Sequence, residues 1–267
     1  MLWLTAIILG LIQGLTEFIP ISSSGHLVIA QTFISGASDH LFLEFINLGT
    51  FLALIVYFRK RIWGIITDIF IHRKFRLVRN ILITSVPAGI VGYLLADFIA
   101  ATPQFFGSAV VVACTLAIVG VVMIILEKIP HATEVKDGEK LTGWRAFAIG
   151  MAQMLALIPG VSRSGATIIA GRLSGLKPAE AAEYSFLASL PIMFGVTLKT
   201  FTSDHAYLME HLGALALGNL FAFVSGLIAV GFLMRYLAKH SLAVFGWYRI
   251  GLAVVLGIIL LVQYVQR

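Results

Sequence analysis

Residues 13–26 read Gln-Gly-Leu-Thr-Glu-Phe-Ile-Pro-Ile-Ser-Ser-Ser-Gly-His. A carboxylate, three consecutive serines and an imidazole crowd positions 17–26, with apolar sequence on both sides. The surroundings are lipid-compatible: of 267 residues, 59% are hydrophobic and only 12% charged. Soluble domains carry roughly 25% charged residues. Long runs at 80–96, 98–126, 146–162, 211–234 and 250–266 contain no Asp, Glu, Lys or Arg. A membrane-crossing helix needs about 20 mostly apolar residues, so the chain reads as an all-α polytopic membrane protein. Ionisable groups at membrane depth are costly and mark function by default.

The backbone around this stretch cannot make two full crossings. Residues 2–19 suit a helix, but only about ten residues separate Gly25 from Ile34, roughly 15 Å at 1.5 Å per residue. Pro20 and the serine run interrupt the join. Broken helix at membrane depth is tolerated where protein or a water-filled cavity covers it. Residues 2–34 therefore predict a re-entrant helix pair with the serine loop at its tip.

The pattern returns 140 positions later. Gly150, Gln153, Ser162, Ser164 and Gly165 repeat Gly10, Gln13, Ser22, Ser24 and Gly25. Arg163 falls opposite Ser23, Leu157 opposite Glu17 and Ala166 opposite His26. Spans are expected at about 42–59, 80–99 and 106–126, then 183–201, 212–236 and 246–265. A second helix pair covers 144–158 and 164–173, broken at Pro159-Gly160. The halves, 1–126 and 144–267, join through the hydrophilic loop 127–143 in one membrane domain. Three spans per repeat is odd, so the second copy enters from the opposite face. That predicts an inverted-topology repeat of six transmembrane helices and two re-entrant pairs, with the site near the midplane.

Seven of the nineteen Lys and Arg lie in 59–79, read as a basic loop, where Asp68 is the only acid. Basic flanks mark the cytoplasmic side, so the net charge of +6 concerns orientation, not nucleic acid. The segments 98–107 and 202–212 have no Lys or Arg and are expected outside. Cys114 is the single cysteine, which leaves no disulfide within the chain. The N-terminus lacks a signal peptide's basic region, so it is expected to belong to the mature protein.

Glu17 suits a hard-metal ligand or a general base, and carboxylate oxygens favour Mg²⁺ or Ca²⁺. Gln13, four residues earlier, shares its helix face. Ser22, Ser23, Ser24 and Gly25 precede a short helix, as do Ser162, Ser164 and Gly165. One such serine is usually a plain N-cap. Two loops at matching repeat positions could hold two phosphoryl groups on helix N-termini. Arg163, costly in a membrane, reads as a phosphate clamp, with an ion pair to Glu17 or Glu183 as the bland alternative. His26 suits an acid, a base or a nucleophile. Glu44, Glu183 and Arg249 either line the same cavity or pair with one another.

At these residues the chain resembles the undecaprenyl-diphosphatase (bacitracin-resistance) family of bacterial inner membranes. The first family motif is met by Gln13, Glu17, Pro20, Ser22, Ser23, Gly25 and His26, and the second by Pro159, Gly160, Ser162, Arg163, Ser164 and Thr167. The likeness runs over essentially the whole chain, through Glu183-Tyr184-Ser185-Phe186 to Tyr248-Arg249. It implies a metal-dependent diphosphatase that converts undecaprenyl diphosphate into the monophosphate carrier of envelope synthesis, with a site open to the periplasm. By position it implies Glu17 as metal ligand or base, Ser23 or His26 as nucleophile or its partner, and Arg163 stabilising the phosphoryl group. The serine loops, with Gly25, Gly165 and Thr167, would receive the diphosphate. Position 13 is Gln, the neutral option, offering only a carbonyl oxygen to metal. As repeat mates, Ser23 and Arg163 should face each other and bracket that group. A transporter or flippase for an isoprenoid phosphate is the competing reading, and a homodimer stays open. A phosphatase of the phosphatidic-acid type would need a second histidine soon after Arg163, and none occurs before His205.

Overall fold

The computed structural model describes residues 3–34, 40–129, 135 and 137–266. Helix α1 (Trp3–Phe18) and helix α2 (Ser23–Phe33) are split by a turn at 19–22 that contains Pro20. Two short helices, α3 (His40–Phe45) and α4 (Asn47–Tyr57), run on as one crossing. The first half continues with α5 (Arg59–Phe70), α6 (Arg76–Leu94), α7 (Ala96–Ala101), α8 (Pro103–Phe106) and α9 (Ala109–Leu126). The second half opens with α10 (Gly143–Met154), prolonged by one 3₁₀ turn, Leu155–Leu157, and then α11 (Arg163–Leu173). It closes with α12 (Pro178–Ser203), α13 (His205–Glu210), α14 (Leu212–Leu237) and α15 (Ala243–Val265).

Six helices among the described residues are long and apolar enough to cross a membrane: His40–Tyr57, α6, α9, α12, α14 and α15. The protein is thus an all-α, multi-pass membrane protein. The four broken pieces are shorter. Helix α2 has 11 residues and α11 also 11, about 17 Å each, against a hydrocarbon thickness of about 30 Å.

The basic segment 59–79 is not a loop, as its charge suggested. Twelve of its residues form α5, and α6 begins at Arg76. Helix formation follows from Trp63, Ile66 and Phe70, spaced i, i+3, i+7 on one stripe, with no proline to stop them. All three are exposed.

The packing is reciprocal between the halves. Helix α1 lies on α14, and α10 lies on α6; α4 lies on α14, and α12 on α6. Helix α9 packs on α15, and α4 on α12. The close approaches use glycine at repeat-related positions. A Cβ on Gly10 would stand 2.3 Å from the Gly218 carbonyl oxygen, and one on Gly150 would stand 2.7 Å from that of Thr84. Without a hydrophobic drive between helices in lipid, small residues win by letting backbones touch.

One apolar cluster, including Phe18, Met123, Ile149, Ile168 and Phe186, fills the centre. Phe18 and Phe186 meet edge to face at 5.6 Å. Polar ties fix the neighbouring helices: the Tyr184 hydroxyl donates to the Asn80 carbonyl at 2.9 Å, and the Asn80 amide donates to the carbonyls of Gly138 and Leu141. These contacts hold the end of the inter-half connection beneath α6 and α12, and they set α10, hence the second serine turn, in place. The stretch 130–134 and residue 136 of that connection lie outside the described residues.

Candidate active site at the junction of two serine turns

Both turns have the same build. Ser22 and Ser162 sit at φ 75° and 73°, a left-handed conformation that costs a side-chain-bearing residue roughly 1–2 kcal/mol. Each is fixed by its own hydroxyl. Ser22 Oγ accepts from the Gly25 amide at 3.2 Å, and Ser162 Oγ from the Gly165 amide at 3.1 Å. Each hydroxyl also meets that of the serine two residues on, Ser24 at 3.2 Å and Ser164 at 3.1 Å. Backbone strain repeated at equivalent positions points to a constraint beyond folding. Ser22 and Ser162 are therefore N-caps in this structure.

Glu17 joins the turns. Its Oε2 accepts from Ser23 Oγ at 2.6 Å and from Gln13 Nε2 at 3.1 Å, while its Oε1 accepts from Arg163 Nη2 at 2.6 Å. Its carbonyl accepts from Ser164 Oγ at 3.3 Å. The side chains of Arg163 and Glu17 are 18% and 15% exposed, so neither charge is well hydrated and each depends on the other. Ser23 and Arg163, the expected facing pair, thus meet on opposite oxygens of one carboxylate. The ion pair with Glu17, the bland reading of Arg163, is formed here. It uses one of the five guanidinium N–H groups.

Arg249 supplies the brace. It is fully buried, and its guanidinium donates to the Pro20 carbonyl at 2.9 Å, to that of Val161 at 2.8 Å and to that of Gly160. One cation from α15 therefore ties the first turn to the second. Thr115 Oγ1 adds a bond to the Pro159 carbonyl at 2.7 Å. Arg249 pairs with neither Glu44 nor Glu183. Those two acids lie elsewhere: Glu183 pairs with Arg61 at 2.9 Å, and Glu44 meets His40 and Thr200. They sit on α3 and α12.

His26 is held apart from the carboxylate. Its Nδ1 lies 2.7 Å from the Ser22 carbonyl oxygen and its Nε2 lies 2.7 Å from the Tyr248 hydroxyl. Thr167 is fully buried; its hydroxyl bonds the Arg163 carbonyl at 2.8 Å and meets Ser185 Oγ at 2.5 Å. It stiffens α11 against α12. Gly25 and Gly165 lie buried under their caps, while Ser24 is exposed.

The oxygen donors suit a hard cation. The Gln13 amide nitrogen sits between Glu17 Oε2 and Asn47 Oδ1, 2.6 Å from the latter. Turned over, the Gln13 amide would present its oxygen to the same place. Among the described residues no three His, Cys, Asp or Glu side chains gather into a metal cage. One carboxylate and neutral oxygens fit a cation that completes its shell with water and phosphate, as Mg²⁺ does. Asn47 was missed by sequence reasoning; a lone amide inside an expected span was the available signal.

Comparison with known proteins covers nearly the whole chain. A family described as "Bacitracin resistance protein BacA" matches residues 6–255. "Undecaprenyl-diphosphatase 2" of Paramagnetospirillum magneticum is 35% identical over 97% of this chain and 100% of its own length. "Undecaprenyl-diphosphatase" of Nitrosomonas europaea is 38% identical over 98% of this chain and 94% of its own. That of Bordetella pertussis is 36% identical over 95% of each.

Proposed function

The chain belongs to the bacitracin resistance protein BacA family, and from that premise we propose that it hydrolyses undecaprenyl diphosphate to undecaprenyl phosphate and phosphate. The observation that carries this reading is the Glu17 carboxylate holding the Ser23 hydroxyl from one half and the Arg163 guanidinium from the other. A nucleophile within hydrogen-bond reach of a base, with a cation beside it, is the arrangement phosphoryl transfer requires.

In the first step Ser23 Oγ attacks the terminal phosphorus and its proton passes to Glu17 Oε2. The bond to the bridging oxygen breaks, and undecaprenyl phosphate departs with the electron pair. Arg163, with N–H groups beyond the one on Glu17, neutralises charge growing on the equatorial oxygens. In the second step water attacks the phosphoserine and the bond from phosphorus to Ser23 Oγ breaks, releasing phosphate. Ser23 Oγ takes back the proton held on Glu17, and the water's proton goes to His26, which lies i+3 from Ser23 on α2 and so shares that side of the helix. A divalent cation held by Glu17 and the amide oxygens of Gln13 and Asn47 would supply further charge neutralisation on the diphosphate.

The same reading places the protein in the bacterial inner membrane, with α5 on the cytoplasmic surface because its basic residues favour that side. The two broken helix pairs are re-entrant, supported by their lengths and by the reciprocal packing. The prenyl tail then stays in lipid while the diphosphate reaches the serine turns from the periplasmic side. The names of the relatives support bond cleavage over carriage.

The test is phosphate release by purified protein in detergent with Mg²⁺ or Ca²⁺, with EDTA, and with Glu17→Gln. Metal-dependent release abolished by the substitution is expected. Lipid that binds without releasing phosphate under any condition would overturn the reading.

A further inference from the structure

His26 has no free ring nitrogen. The Ser22 carbonyl at Nδ1 can only accept, so Nδ1 carries the hydrogen. The neutral ring then presents a lone pair at Nε2, and the Tyr248 hydroxyl lies on it at 2.7 Å, donating. The two ring planes lie within 10° of each other, with centroids 5.7 Å apart. Tyr248 arrives from α15, 222 positions away in the chain, directly before the Arg249 that braces both turns. Ser22, whose carbonyl fixes the other edge of the ring, is the strained cap residue. The imidazole is therefore located from both sides, by its own helix turn and by the opposite half.

This geometry has a consequence for proton transfer. The Nε2 lone pair lies in the ring plane and is covered by the phenol. A phenolic hydroxyl both donates and accepts, and the bond between Tyr248 and His26 is not buried, so the hydroxyl can accept one proton while giving another. We infer that Tyr248 is the positioning residue of His26 and relays the proton to it. As the attacking water gives a proton to the Tyr248 oxygen, the phenol gives its own to Nε2. The phenol ends neutral and the imidazole ends as imidazolium, with Nε2–H now donating back to the same oxygen. Nothing is oxidised, and the contact survives with its direction reversed.

The inference rests on the hydrolase reading given above, and its failure can be told from the failure of that reading. The experiment follows phosphate release and protein-bound phosphate from terminally labelled undecaprenyl diphosphate, in detergent with Mg²⁺. Four proteins are compared: the natural one, Tyr248→Phe, His26→Ala and the double variant. Phe keeps the ring and removes only the hydroxyl. Tyr248→Phe is expected to lower kcat by about a hundredfold, the low end of acid–base assistance, and to lower KM with it, leaving kcat/KM, which the first step sets, unchanged. Labelled phosphate should build up on the protein, since the second step is the one slowed. The double variant should be no slower than His26→Ala. Tyr248→Phe within twofold of the natural kcat, beside an inactive His26→Ala, would overturn the relay and leave the role of His26 standing. Independent, multiplying effects would overturn it too. Full activity in His26→Ala would instead overturn the second step of the hydrolase reading.

Discussion

Replacing Arg249 by Met should separate the two serine turns. The substitution keeps side-chain bulk in a fully buried position but removes the donors to Pro20, Gly160 and Val161. A buried acceptor left without a partner costs about 1–3 kcal/mol, so three carbonyls together lose roughly 3–9 kcal/mol. Part is recovered, because a guanidinium no longer has to be kept out of water, a penalty of several kcal/mol per ion. The expected net destabilisation is about 3–5 kcal/mol. Arg249→Lys should lie between the two, since one ammonium lacks the flat fork that reaches carbonyls of both turns. The assay is unfolding by sodium dodecyl sulfate titration in mixed micelles, read by circular dichroism, with phosphate release measured beside it. Loss of stability and of release together is expected. A variant of unchanged stability that still releases phosphate would refute the brace and the claim that it holds the turns in register.

Three further perturbations test other links. Gly10→Leu drives a side chain into the Gly218 carbonyl, which a Cβ would already meet at 2.3 Å; overpacking of about 1–3 kcal/mol should appear in the same titration, while Gly251→Leu, with open space around it, should be silent. Ser162→Ala loses the cap and keeps the left-handed backbone, costing about 1–2 kcal/mol, whereas Ser162→Gly relieves that backbone and should stay close to the natural stability despite the larger deletion. In a Cys114→Ala background, Ser24→Cys should react with a membrane-impermeant thiol reagent added to the periplasmic side of spheroplasts; protection there with labelling from the cytoplasmic side would reverse the proposed opening.

Much of this arrangement was legible because its signals are local or compositional. The spans announce themselves through uncharged runs, and the two turns through serine, glycine and proline at a constant spacing. Arg163 could be singled out because a guanidinium in apolar sequence needs an anion, and Glu17 was a named partner. What stayed hidden depends on backbone atoms and on distant residues. The partners of Arg249 are carbonyls, which every residue carries, so its sequence position could not distinguish a brace from an ion pair with Glu44 or Glu183. Tyr248 meets His26 only after α15 packs beside α9 and α2. Helix α5 was hidden because a dense positive charge resembles a loop while its Trp63, Ile66 and Phe70 stripe follows helical spacing. Asn47 was overlooked for a similar reason: one amide in an apolar run looks like tolerated filler until Gln13 is found bonded to it.

The most direct measurement is a double-substitution cycle on phosphate release from undecaprenyl diphosphate with Ser23→Ala, Arg163→Ala and both together. Groups that act as one unit on a single phosphoryl group are not additive. Each single variant is expected to lose about a thousandfold or more of kcat, and the double variant should fall no more than about tenfold further. Either single variant working near the natural rate would contradict a site built by Glu17 from both halves of the chain.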